Sequence, residues 1–425
     1  MSLIRLGFWA ASGAGSASYW LSLLGGTGSD YAWGIATDSG NNSYAGGHSY
    51  TGSSDDFLIA KRDSDGAIGW QRNLGSSGKD QCFSVAIDSA DNAYFAGVTN
   101  SIGAGGDDAI IAKYNSAGVI QWQRVFGGSN TEQAYSVATD SSNNVYIAGI
   151  TTTTGGRSDD YLLVKYNSGG TLQFQKSYHS GGEKAEAVGV DSSDNVYLIG
   201  DGGTLVKTNN AGTIQWQRKL DGVLRGKGIS FDSSDNVFVA YEYNPSGKDF
   251  LLAKYNSSGS LQWQRTLTGA SDEISQAVTV DSFGNCYVFG STASEGVNAN
   301  GFLAAKYSSA GVIQWQRVLG SSGNDFGYGA SIDSDNNLHL VGRTSSAGTG
   351  SNDFFHAKLP NDGSLTGTYE LDSVNFVYAA STLTAATSTL SDSAGSMSEH
   401  TLSLTDNSST LTDSTASATS YLVEL

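Results

Sequence analysis

Apolar and polar residues alternate in short runs along this chain, and clusters of Asp, Asn, Ser and Gly separate the runs. "QCFSVAID" (81–88) alternates with period two and predicts a half-buried strand, and "DSADN" predicts a turn. "AYFAGVT" (93–99) predicts the next strand, "NSIGAGGDD" a loop, and "AIIAKYN" (109–115) a third strand. "SAG" then turns, and "VIQWQRVFG" supplies a fourth strand. Asp, Asn and Gly suit these turns because they tolerate positive φ and bond their own backbone.

The four-strand unit recurs. "DS" followed by a turn and an aromatic appears seven times, at Asp38, Asp88, Asp140, Asp191, Asp232, Asp281 and Asp333. The copies lie 50, 52, 51, 41, 49 and 52 residues apart. A period near 50 with about four short strands per unit predicts propeller blades. Trp70, Trp122, Trp263 and Trp315 each precede their Asp by 18 residues, and Trp20 precedes Asp38 by the same 18. "YWLSLLGG" is therefore a fourth strand with no first three ahead of it. The last unit, near 329–365, has three strands and no Trp-Gln. The chain is expected to be all-β, a seven-bladed β-propeller closed by pairing an N-terminal strand with C-terminal ones. Such closure leaves no open sheet edge.

The units resemble the seven-bladed propeller repeat family called SBBP repeats. The resemblance rests on D-S-x-x-N-x-Y-x-x-G, then D-[FYA]-[LI]-x-A-K-Y, then G-x-x-x-W-Q, and covers roughly residues 17–365. The fourth unit departs from it, since "GDGGTLVKTNNAG" (200–212) all but removes the middle loop. The pattern implies the fold and leaves activity open.

Composition narrows the function classes. The formal charge of −18, with 41 acidic against 23 basic residues, opposes binding to nucleic acid or to anionic membrane. No run reaches the 18 or so apolar residues of a membrane helix. Cys82 and Cys286 are the only cysteines, which argues against a disulfide scaffold and a cysteine zinc site. The five His are scattered, with no HExxH, nucleophile elbow or phosphate loop, so no catalytic set and no metal site is expected.

Trp20, Trp70, Trp122, Phe174, Trp216, Trp263 and Trp315 recur at one strand position and are expected to pack blade against blade. The Lys of each "AK" (Lys61, Lys113, Lys165, Lys207, Lys254, Lys306, Lys358) is expected to pair with the repeated Asp. The loops between second and third strands vary in length and sequence, as recognition loops on a fixed scaffold do. They offer Tyr50, Asp55, Asp56, Asp107, Asp108, Arg157, Asp159, Asp160, Asp249 and Asp353 as candidate recognition residues. The same acids could instead cap strands by bonding backbone amides. Otherwise no cofactor is called for, and Ca²⁺ at these carboxylates is the one ion their chemistry would suit.

From Thr366 to Leu425 the texture changes to 25 Ser or Thr in 60 residues, with no Lys or Arg and short apolar beads. This extension is expected to be β-type and to serve assembly, its strands adding to a neighbour. The first 16 residues lack a signal-peptide core, are expected to be retained, and form an anchoring segment. "MSLIRLGFWAASG" resembles the short N-terminal stretch of structural proteins of marine tailed bacteriophages, particularly cyanophages. That resemblance implies a non-enzymatic virion protein of the tail, fibre or baseplate, assembled in the host cytoplasm. Its partners would be other virion proteins through residues 1–16 and 366–425, further copies of itself, and a host-surface glycan or protein. The alternatives are a bacterial surface or secreted adhesion propeller and, further off, an enzyme acting on polysaccharide.

Overall fold

The computed structural model describes residues 18–50, 52–103, 105–152, 159–179, 182–244, 247–295, 299–388, 390–394, 398–401, 405–408, 412–415 and 419–424. Every named element in it is a strand, and the strands form seven sheets. The first blade orders Asp30–Thr37, Ser43–Tyr50, Asp55–Arg62 and Ile68–Gly75 as an antiparallel meander. Five more follow at 80–127, 132–179, 185–220, 223–268 and 273–320. The seventh takes Asp325–Ile332, Leu338–Thr344 and Asp353–Leu359 from the end of the ring and Trp20–Gly25 from its beginning. Trp20 faces Lys358 and Leu24 faces Phe354, so the closure and the blade count read from the Trp–Asp spacing are those of the structure.

The seam carries its own chemistry. Arg62 stands at the register position that Tyr114, Tyr166, Tyr255 and Tyr307 hold in other blades. His339 stands where Tyr94 and Tyr146 bond the repeated Asp. Both lie against the fully buried Trp20, whose ring also meets His356 at 4.7 Å. Near-identical blades would offer competing closures, and a seam with unique partners picks one.

The extension is the element whose partner differs from the sequence expectation. It adds strands to this chain's own blades. After the hairpin Gly367–Leu371 and Val374–Ala380, it runs backwards once around the ring. Val374–Ala380 pairs with the sixth blade, Thr384–Thr387 with the fifth and Asp392–Ala394 with the fourth. Ser398–Thr401, Thr405–Ser408 and Thr412–Thr415 pair with the third, second and first. Thr419–Glu424 returns to the seventh, outside Trp20–Gly25. Each blade thus gains an antiparallel strand on its outer edge. The physical reason is proximity: each fourth strand leaves an unpaired edge on the same molecule, a short step from the last.

The belt has a seven-residue period, with apolar residues at Leu383, Leu390, Met397, Leu404 and Leu411, the last three outside the described residues. Seven extended residues reach at most about 25 Å, enough for one short strand and a step to the next blade. Leu383 is buried among Phe250, Leu267 and Tyr307, and Leu390 packs on the cluster of Leu220 and Tyr241. The Gln of the WQR triplet fastens the links: Gln316 Nε2 donates to the carbonyls of Ser381 and Leu383 (3.1 and 2.8 Å), and Gln264 Nε2 to that of Leu390 (2.8 Å).

A chain ending at Leu365 is predicted to expose seven outer edges. Differential scanning calorimetry and light scattering should show a melting temperature lower by roughly 5–10 °C and concentration-dependent association. An unchanged melting temperature in a monodisperse monomer would contradict the belt's role.

Candidate functional site

Most repeated side chains are used up in holding the ring. Within the second blade, Asp88 accepts bonds from Asn92 and from Tyr94 OH (3.0 Å) and pairs with Lys113 Nζ at 3.2 Å. Burial alone would raise the Asp88 carboxyl, but Asn92, Ala90 and Lys113 outweigh it and hold it below the usual carboxylate range. Lys113 then reaches the Ser168 carbonyl of the next blade, where Trp122 Nε1 also donates (3.1 Å). Arg124 Nε donates to the neighbouring Gly170 carbonyl at 2.9 Å. The turn glycine packs flat on the indole: a Cβ on Gly118 would lie 2.6 Å from the Trp70 ring, and its φ is +74°. Trp70, Trp122, Trp216, Trp263 and Trp315 each donate to a turn carbonyl of the next blade, and each of the seven Lys pairs with the Asp of its own blade.

What remains is the channel. Each innermost strand carries a β-bulge at an equivalent position, at Trp33, Phe83, Tyr135, Glu186, Lys227, Gln276 and Tyr328, and the fifth blade adds a second at Leu224. A bulge sets two residues against one and re-aims a side chain, and these seven line the central cavity of about 360 Å³. Each is framed by small residues, as in "AWG", "CFS", "AYS", "AEA", "GKG", "SQA" and "GYG". The frame is steric: a Cβ on Gly34 would lie 2.7 Å from the Ser84 backbone of the next blade. Inner strands touch there, so only the bulged residue is free to be large.

The ring has two halves. Blades seven, one, two and three contribute Tyr328, Trp33, Phe83 and Tyr135. Trp33 stacks on Tyr328 at 4.1 Å and lies parallel to Tyr31 at 6.0 Å, while Phe83 meets Tyr135 at 5.6 Å. Trp33 Nε1 donates to His48 Nδ1 (3.2 Å), which leaves that His acting as acceptor, and burial pushes His48 down to about 4. Arg343 ties Tyr31 OH, Tyr328 OH and Asn352 together and lies over the Tyr31 and Phe326 rings. Blades four, five and six contribute Glu186, Lys227 and Gln276. Glu186 contacts both Lys227 and Lys184 at 3.1 Å. Burial would raise its carboxyl, but the two lysines win and keep it low, hence ionised at neutral pH. Arg225 and Lys248 pair with Glu242 nearby, beside the short Gly202–Gly203 turn of the fourth blade.

The loop candidates share the face on which blades connect, since the Asp107 and Asn352 carbonyls accept the amides that open the next inner strands. Asp55 accepts from Gln81 at 2.7 Å, and Asp107 from Lys79 and Gln133 at 2.5 Å each, which ties blade to blade at the rim. Asp108, Asp160, Asp249 and Asp353 are buried at the start of their strands, Asp56 and Asp159 are half-buried, and Tyr50 is exposed. Arg157 lies outside the described residues. Among the described residues no three acidic, His or Cys side chains converge as a metal site would need. Sequence reasoning passed over the channel residues. Their one signal is a large, variable residue inside a frame of small ones.

The family described as Beta-propeller repeat (SBBP) matches residues 69–103. Comparison with curated proteins gives no match. Similar solved structures include the WD40 beta propeller domain of Doa1, with TM-score 0.51, 11% identity, and 80% of this chain and 97% of that one covered. Streptogramin B lyase gives TM-score 0.51 and 10% identity over 81% of this chain and 99% of that one. The Mitotic Checkpoint Complex gives 0.53 and 9% over 85% and 99%. At these identities the likeness is one of fold.

Asp353 is pushed up to about 6 by burial and then by Asp30, and Asp249 to about 6 by burial and then by Glu273. A carboxyl raised on folding costs stability at pH 7 and returns it as pH falls through about 6 toward 3.8. Asp353→Asn is therefore predicted to be more stable than the parent at pH 7.5, on the order of 1–2 kcal/mol. Chemical denaturation should show that gap vanish near pH 4, and a gap of constant size would refute the assignment.

Proposed function

We propose that the protein is a non-enzymatic recognition module that takes its partner in the central channel, at the ring of bulged residues, and is anchored through its chain ends. The single observation that carries this is the pattern of variation around the ring. Residues that hold blades together repeat, whereas the seven equivalent channel positions hold Trp, Phe, Tyr, Glu, Lys, Gln and Tyr. A scaffold under structural constraint alone would repeat there too, so the differences answer to something the channel meets.

The chain ends support the anchoring. Trp20 pairs with Lys358 and with Glu424, and Lys358 pairs with His339, just after the Asp333 turn. The first and last described strands therefore meet the turn-lined face together. Tyr31, His48 and Arg343 mark the other end of the channel, where the blades connect. In the setting that the N-terminal resemblance implies, the module is a virion component, its ends held by other virion proteins and its channel turned toward the host surface.

The test is binding of fluorescently labelled full-length protein to host cells, together with mass spectrometry of purified particles. Phe83→Ala and Lys227→Gln, the latter keeping a donor for Glu186, should each cut cell binding about tenfold, or roughly 1.4 kcal/mol, with melting temperatures within a few degrees of the parent. Binding that ignores both substitutions would overturn recognition in the channel, and particles lacking the chain would overturn the virion setting.

A further inference from the structure

We infer that the ligand of the channel is a neutral pyranose, its apolar face against the wall of Phe83, Tyr135 and Tyr328 and its hydroxyls toward Glu186, Lys227 and Gln276. This rests on the reading that the channel is the recognition site, and it names the chemistry that site selects.

Three features of the ring lead there. First, the aromatic and polar residues are segregated, with rings on four successive blades and polar groups on the other three. A ligand that satisfies both halves must itself be apolar on one side and rich in hydrogen-bonding groups on the other. A pyranose is built that way, with C–H bonds on one face and hydroxyls at its edge. Second, the cavity of about 360 Å³ suits a small ligand and sits at the lower end of the usual range for such pockets. Third, the charges of the polar half already have partners. Glu186 contacts Lys227 and Lys184 at 3.1 Å each, and Arg225 and Lys248 pair with Glu242, so a charged ligand would have to displace contacts already made. Adjacent hydroxyls, by contrast, can donate to the carboxylate and accept from the ammonium, and the Gln276 amide can do both.

The aromatic geometry separates this from a cation cage. Such a cage needs ring faces turned toward one point. Here Trp33 is stacked on Tyr328 at 4.1 Å and lies parallel to Tyr31 at 6.0 Å, with its N–H spent on His48. Phe83 meets it edge-on at 86°. Trp33 thus extends a wall of rings and does not close a cage. The wall continues through Phe83 and Tyr135, tilted 33° to each other.

The experiment is saturation-transfer NMR and calorimetry of the full chain with glucose, galactose, mannose and N-acetylglucosamine, with tetramethylammonium and sialic acid as charged probes. At least one neutral sugar should bind in the millimolar range or tighter, and Phe83→Ala and Lys227→Ala should each weaken it about tenfold or more. Lys227→Gln, which keeps the length and most of the packing, should weaken it too, and melting curves exclude loss of fold. No transfer to any neutral sugar, preference for either charged probe, or binding that survives all three substitutions would overturn the inference. If no neutral sugar binds but cell attachment still depends on Lys227, the pyranose assignment fails and recognition in the channel stands. If attachment ignores Lys227 as well, both fail.

Discussion

An unpaired strand edge governs this molecule more than any other feature. A four-stranded blade has an inner edge protected by its neighbours around the channel and an outer edge open to solvent, and seven blades have seven such edges. The ring solves its end-to-end closure by lending Trp20–Gly25 to the last blade. The belt then covers the outer edges, and its last strand, Thr419–Glu424, lies over the borrowed one. The closing strand is thus hydrogen-bonded on both sides, by Asp353–Leu359 and by Thr419–Glu424, at the one seam where the chain is discontinuous.

The WQR triplet shows how few residue types serve this end. Trp and Arg bind the turn of the next blade through its carbonyls, and in the fifth and sixth blades Gln binds the belt. One three-residue run thereby couples the fifth and sixth blades both sideways and outward. Asp, Asn, Tyr and Lys form a second buried unit, and Ser39, Ser89 and Ser141 stitch each turn to the next through Asp91, Asn143 and Asp194. With so much of the repeat bound to structure, variation is concentrated at the bulges of the inner strands, where neighbouring blades meet through side chains that differ from pair to pair.

Legibility in the sequence follows the range of the interactions. Strands such as 81–88 alternate with period two, and the 18-residue Trp–Asp spacing is local, so blade number and the place of Trp20 could be read directly. The belt could not. Its strands are three to seven residues long, three of them (Ser398–Thr401, Thr405–Ser408 and Thr412–Thr415) carry no apolar residue, and the partners of Thr384–Thr387 lie more than a hundred residues away at Arg265–Thr268. Its seven-residue step makes sense only once blades are set side by side. Phe83 and Lys227 escaped notice for a different reason: a bulge leaves no mark in an alternating strand, so a channel residue looks like any half-buried one. The loop acids stood out as a pattern, but Asp55 and Asp107 owe it to the joints between blades.

The division of labour between repeated and varied residues is tested most directly by thermal unfolding of two triple variants. One carries Ala at Phe83 and Gln276 and Gln at Lys227, which face the channel, the Gln keeping a donor for Glu186. The other carries Ala at Asp88, Trp122 and Arg124, which bind blade to blade. The account predicts that the first melts within a few degrees of the parent and that the second is lower by more than about 10 °C, each buried partner being worth on the order of 1–4 kcal/mol. Equal losses in the two would contradict it, because the channel residues would then be part of the framework and not free for a ligand.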